Sequence, residues 1–112
     1  MSLDLLKGTL DVLILKTLSW GPRHGYGISK AIRETSTDDF QVEEGALYPA
    51  LRRLEKKGLL AAGWDVTDTG REAKFYRLTT AGEARLSAEL DQWERYVKAM
   101  SAVLQAEGPA GG

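Results

Sequence analysis

Residues 42–60 read VEEGALYPALRRLEKKGLL, and the reading of this stretch decides the fold. Leu47, Ala50, Leu51 and Leu54 recur at i, i+3, i+4 and i+7, the spacing that gathers side chains on one face of a helix. At about 100° per residue, Gly45, Pro49, Arg52 and Lys56 fall on the opposite stripe, with Tyr48 and Arg53 at its edges. One side is therefore built for burial, while the other offers small or rigid residues, a tyrosine and then cations. A proline costs little only among the first helical residues, whose N–H groups have no intrahelical partner, so Pro49 puts the start near Glu44 or Gly45. Glu43 is a weak cap for that start. Gly58 stands where a helix C-cap is expected, and Leu59 and Leu60 begin an extended segment. The pattern predicts a DNA-recognition helix that runs directly into a wing. A solvated amphipathic helix is the plainer alternative, but it leaves Tyr48 and Pro49 on the wet side without a reason.

The 112 residues suffice for one domain with a modest core, and 43% hydrophobic with 28% charged residues is ordinary globular composition. A net charge of −1 does not advertise nucleic-acid binding, yet local charge is what meets phosphate. Arg52 to Lys57 holds four cations and one anion, whereas from Ala81 onward acids outnumber bases five to three. The chain has no cysteine, which removes disulfides, thiolate nucleophiles and cysteine metal sites and fits a cytoplasmic protein. Its longest strongly apolar run, Val12 to Leu15, is far short of the ~20 residues a membrane span needs. His24 is the only histidine, and no acid or second ligand is spaced to pair with it. Without an activated base, an HExxH, a GxSxG or a phosphate-cradling GxxxxGK[ST], no enzyme, metal site or cofactor is expected.

Working outward, Leu3 to Ser19 reads as a first helix, apolar on so much of its surface (Leu6, Leu10, Leu13, Ile14 and Leu18, widened by Leu3, Leu5, Val12 and Leu15) that it calls for more than one neighbour. Gly21-Pro22 ends it. Gly25 to about Thr35 is a short second helix that buries Ile28, Ala31 and Ile32. Ser36 to Asp39 is a polar break, after which Phe40 and Val42 pack back over the junction, Val42 as a staple. Leu59–Val66 and Ala73–Thr79 alternate as strands, with Leu60, Trp64 and Val66 on one side of the first, and Thr67 to Glu72 forms the hairpin tip between them. Thr80-Ala81-Gly82-Glu83 fits an S/T-x-x-E capping box for a last helix reaching about Ala106. Leu86, Leu90, Trp93, Val97, Met100 and Leu104 are spaced 4, 3, 4, 3 and 4, an a/d seam. Such a helix is about 39 Å long, too long for the preceding fold to cover, so a second copy of the chain is the expected partner. The fold class is mainly α (α+β), a winged helix-turn-helix with a two-stranded wing and a long C-terminal dimerisation helix. The expected division is a DNA-binding domain over 1–80, a dimerisation helix over 81–106 and a disordered tail over 107–112.

The chain also resembles the PadR-like transcriptional regulators in their short form. The matching pieces are Leu6-Lys7-Gly8-Thr9-Leu10, His24-Gly25-Tyr26-Gly27-Ile28, Gly45 to Glu55, Lys57-Gly58-Leu59 and Phe75 to Gly82, which together span residues 6 to 82. The last helix matches only by length and pattern. The resemblance implies a homodimeric repressor on an operator with inverted half-sites, released when a small hydrophobic or aromatic molecule binds. Glu43 and Ala46 depart from the family, which often has a small capping residue at the first position and threonine or serine at the second.

Candidate site residues follow. Gly45, Tyr48, Pro49 and Arg52 lie early enough on the third helix to reach base edges, and Arg52 is the best candidate for a bidentate guanine contact. Arg53 and Lys56 are assigned to phosphate. At the wing, Arg71 reads as a minor-groove residue and Lys74 as a phosphate contact, against an ordinary exposed hairpin. Gly25 and Tyr26 open the second helix, where free N–H groups suit a phosphate; core packing serves Tyr26 equally well. Dimerisation is assigned to Leu6, Leu10, Leu86, Leu90, Trp93, Val97, Met100 and Leu104. Trp93 reads as a dimer-core residue or, with Tyr96 and Val97, as a seat for a flat hydrophobic effector; Trp20 and Trp64 read as local packing. The expected partners are a double-stranded DNA operator with inverted half-sites, a second copy of the chain, and a small hydrophobic or aromatic effector, with no membrane. The alternative is a winged-helix protein-interaction or architectural module without an effector, and a third reading is a constitutive DNA binder.

Overall fold

The computed structural model describes residues 8–109 and Gly111. In chain order the elements are α1 (Thr9–Leu18), β1 (Arg23–His24), α2 (Gly25–Thr35), α3 (Glu44–Lys56), β2 (Leu60–Val66), β3 (Glu72–Leu78) and α4 (Thr80–Gln105). The strands form one antiparallel sheet in the order β1-β3-β2. β2 and β3 are the expected hairpin, in register from Leu60 opposite Leu78 to Val66 opposite Glu72. β1 was not expected. It adds a third strand by pairing Arg23 with Tyr76 and His24 with Phe75.

α3 starts at Glu44, with Glu43 in the cap position and no side-chain capping bond. Its buried face is Leu47, Ala50, Leu51 and Leu54, as the spacing predicts. Pro49 nevertheless lies beyond the first turn, past the donors a helix leaves free, so the Gly45 carbonyl has no N–H four residues on to receive. The other end closes cleanly. Gly58 takes a left-handed φ of 77°, its N–H bonds to the Glu55 carbonyl at 2.9 Å, and the Leu59 N–H bonds to the Leu54 carbonyl at 3.0 Å. These two bonds form a Schellman motif, which needs a residue tolerant of positive φ at that position.

The first helix begins later than expected. Gly8 is left-handed, with φ 86°, and α1 runs only from Thr9; Leu3, Leu5 and Leu6 lie outside the described residues. Within α1, Ile14, Leu15, Thr17 and Leu18 are buried, and the helix touches α2, α3, α4 and β3. Ile28 and Ile32 of α2, the apolar face of α3, Leu59, Leu60, Tyr76 and Leu86 complete the core. Ala31 is only half-buried, while Phe40 and Val42 pack against the core's edge.

Two expectations about apolar residues need correction. Leu60 and Tyr76 are buried at the root of the hairpin, but Trp64 is 72% exposed and Val66 56%, because the distal half of β2 projects past the core. Trp64 is therefore not packed locally. Trp20 is also about half exposed, with the Lys16 ammonium 5.8 Å from its ring centre. α4 likewise leaves the domain. The Cα radius of gyration is 16.6 Å and the longest dimension 63 Å, where a compact chain of this length has a radius of about 13 Å.

Candidate nucleic-acid interface

α3 exposes Gly45, Ala46, Tyr48, Pro49, Arg52, Arg53, Lys56 and Lys57 along one side. The expected DNA-facing residues thus share a surface, but their surroundings differ. Arg53 donates to the Asp11 carboxylate of α1 at 2.5 Å. Lys74 donates to the Glu55 carboxylate at 3.3 Å and sits 5.5 Å from the Tyr76 ring centre. Both cations tie α3 to its neighbours, Arg53 to α1 and Lys74 to the wing. Among the described residues, Arg52, Lys56 and Arg71 make no ion pair. Burial pushes the Tyr76 hydroxyl above its ordinary pKa of 10.0, with Lys74 opposing and Glu55 and Tyr48 reinforcing the shift.

Tyr48 reaches back to the start of α2. A Cβ built on the buried Gly25 would lie 2.6 Å from the Tyr48 hydroxyl and 2.9 Å from its ring. Gly25 is thus the space that the tyrosine occupies. Tyr26 is 64% exposed at the same end of α2, which removes the core-packing alternative for it.

His24 has a role that the residue pattern did not reveal. It is the N-cap of α2, and its Nδ1 accepts the Gly27 N–H at 2.9 Å. Its ring meets Phe75 of β3 edge-on, 5.2 Å between centroids. The imidazole replaces the usual short capping oxygen and at the same time fastens α2 to the sheet. Replacing His24 with alanine is expected to lower stability by about 1 kcal/mol, the usual worth of a cap, with asparagine recovering most of it. Urea midpoints at constant slope measure this, and equal losses for both variants would exclude capping as the cause.

At the wing tip the Thr67 N–H bonds to the Arg71 carbonyl at 2.8 Å and the Gly70 N–H to the Thr67 carbonyl at 2.9 Å, with Gly70 at φ 82°. This turn holds Arg71 at the exposed end of the hairpin.

The last helix divides in two. Leu86 is buried in the chain's own core and Leu90 packs at its edge, so Leu86 is withdrawn from the dimerisation seam. Leu10 is likewise packed at the core's edge, and Leu6 is outside the described residues. Beyond Leu90 the seam is bare: Trp93, Val97, Met100 and Leu104 are all exposed, as is Val103. Trp93 and Tyr96 stack with ring centroids 5.7 Å apart at 23°. An open groove of about 320 Å³ lies where α1, β3 and the root of α4 meet, lined by Leu18, Ser19, Leu78, Glu83, Leu86, Ser87 and Leu90.

Three helices with a short β-hairpin behind the third, and unpaired cations on that helix and at the hairpin tip, define a winged-helix DNA-binding protein. Residues 14–88 match the transcriptional regulator PadR-like family, and the chain belongs to that family. It is 40% identical over 91 residues to uncharacterized protein X of Lysinibacillus sphaericus, covering 80% of this chain and 83% of that one. A transcriptional regulator of Mycobacterium tuberculosis is 44% identical over 57 residues, 51% of this chain and 52% of the relative. Among solved structures, a PadR-like transcriptional regulator from Bacillus cereus superposes with a TM-score of 0.80 at 28% identity, over 91% of this chain and 97% of that one. A transcriptional regulator from Clostridium thermocellum gives 0.77 at 31%, over 86% and 93%. The protein is thus a DNA-binding transcriptional regulator of the PadR-like family and not an enzyme. Among the described residues, no helix is long and apolar enough to cross a membrane.

Proposed function

We propose that the chain acts as a homodimeric repressor that places two copies of α3 on inverted half-sites and leaves DNA when a small hydrophobic or aromatic molecule binds. The observation that carries this reading is the bare stripe Trp93, Val97, Met100 and Leu104, four apolar side chains on one face of a helix that its own domain does not cover. A stripe with this spacing finds its cover most simply in a second copy of itself. Two α3 helices held about 34–36 Å apart meet successive turns of the same DNA face. Arg52 then reads a base, Lys56 and Arg71 meet the backbone and minor groove, and Gly45, Tyr48, Pro49 and Tyr26 shape the surface between them. Repression follows because a dimer seated on a promoter excludes polymerase.

The stacked Trp93–Tyr96 pair supports the effector part of the reading, because exposed aromatic faces offer a flat ligand contact area. A ligand that prefers a different helix pairing draws the population away from the DNA-competent dimer. The reading is tested by binding to the DNA upstream of the chain's own gene. A dimer by gel filtration is expected to bind with log K falling linearly as log salt rises, because each neutralised phosphate releases counterions. A dimer that binds a partner protein but no DNA across that salt range would instead be an interaction module.

A further inference from the structure

The junction of β3 with α4 has less slack than a chain reversal ordinarily has. β3 ends at Leu78 and α4 starts at Thr80, so a single residue, Thr79, connects them. Thr79 is not simply the residue before a helix. Its Oγ1 accepts the Gly82 N–H at 3.0 Å and caps α4. The same hydroxyl donates to the Gly58 carbonyl at 2.6 Å, and the Thr79 N–H donates to the Leu59 carbonyl at 3.1 Å. Gly58 and Leu59 are the two residues that close the Schellman end of α3. The cap thus lies one residue before the expected Thr80, and with Gly82 at the third helical position the S/T-x-x-E box does not form.

Gly82 completes the contact. It is buried in the first turn of α4, and a Cβ there would run into the Leu59 carbonyl oxygen. That oxygen belongs to backbone and accepts the Thr79 N–H, so it cannot swing aside as the tip of a side chain can. Only glycine lets the first turn of α4 sit directly on the Leu59 backbone, just past the end of α3. The segment that closes α3 and the start of α4 therefore share one hydrogen-bonded joint, at the root of the wing where Leu60 pairs with Leu78.

We propose that Thr79 and Gly82 are positioning residues for DNA recognition, locking α4 to the end of α3 so that the pairing of two α4 helices sets where the two α3 helices lie. This rests on the reading that α3 faces DNA and α4 pairs with a second copy. Hydrogen bonds and a backbone contact that cannot compress transmit a rotation of α4 to α3, whereas a flexible linker would absorb it.

The absence of cysteine allows a direct test, because introduced thiols are the only ones to label. The exposed residues Glu44 on α3 and Arg95 on α4 are changed to cysteine together and spin-labelled in full-length protein diluted with unlabelled protein, so that only the distance within one chain is read. The unaltered joint is expected to give one narrow distribution. Gly82→Ala is expected to shift or broaden it, Thr79→Val to broaden it, and Thr79→Ser, which keeps the hydroxyl, to restore it. If Gly82→Ala does not fold, the valine and serine pair still decides. Narrow, unshifted distributions in a folded Gly82→Ala protein, or in the valine variant, would overturn the proposal. Arg95→Cys alone, undiluted, reports the distance between copies. Its absence in the parent protein would sink the dimer reading, while the intrachain result still judges the joint.

Discussion

Replacing Val97 with aspartate is expected to turn the dimer into monomers and to weaken operator binding by roughly 10²–10⁴-fold, the usual gain from linking two binding units. Val97 lies in the middle of the bare stripe, with Trp93 one turn before it and Met100 and Leu104 after it. It is 44% exposed in the single chain and lies outside the buried core, so aspartate leaves the folded domain intact. In a two-fold pairing of α4 helices the substitution puts a carboxylate from each copy into an apolar interface, and burying unpaired charge is strongly unfavourable. Each monomer keeps its α3 surface and so its weak affinity for one half-site. Sedimentation equilibrium reads the assembly, and titration of one- and two-half-site duplexes reads the linkage. A dimer that persists, or a monomer that binds the full operator as tightly as before, would dismiss the α4 seam as the dimer interface.

The second large effect is expected at Arg52. An arginine reading guanine contributes about 1–3 kcal/mol of discrimination at its base pair. A homodimer loses the contact in both half-sites, so Arg52→Ala is expected to cost roughly 2–6 kcal/mol and to relax preference at one position of each half-site. Arg53 is the informative control, since it differs by one position and engages Asp11 at 2.5 Å instead of standing free. With both groups of that pair partly exposed, Arg53→Ala should lose only about 0–1 kcal/mol of stability and less DNA affinity than Arg52→Ala. Competition among duplexes substituted at single positions separates the two. If the Arg52 variant binds all of them uniformly more weakly, with a salt slope reduced by about one per contact, Arg52 is a phosphate contact and not a reader.

How much of this was legible depended on whether the deciding interactions were local. α3 was legible because its period, Pro49 and Gly58 all act within one helix, and the wing hairpin because the polar stretch from Thr67 to Glu72 separates two alternating runs. β1 was not, since two residues carry no period; Arg23 and His24 are a strand only because β3 lies beside them. The start of α4 was missed by one residue for a similar reason. Thr80 satisfies the local S/T-x-x-E rule and Thr79, with Gly82 three residues on, does not, yet Thr79 is the cap and its hydroxyl also reaches Gly58, 21 positions away.

The same distinction separates the residues of the interface. Sequence put Arg52 ahead of Arg53, Lys56, Arg71 and Lys74 but could not say which of these cations pair within the chain, because Arg53 finds its partner 42 positions off in Asp11 and Lys74 finds Glu55 19 positions off. The heptad from Leu86 to Leu104 was equally plain, yet spacing alone does not say which side chains the chain itself covers. Helix period, turn chemistry and the apolar stripe of α4 were determined by the sequence alone, since each depends on neighbours within a turn or two. Which cations stay free, which seam residues stay bare and how α4 is locked to α3 were decided by the tertiary structure, because each depends on what folding brings up against that residue from elsewhere in the chain.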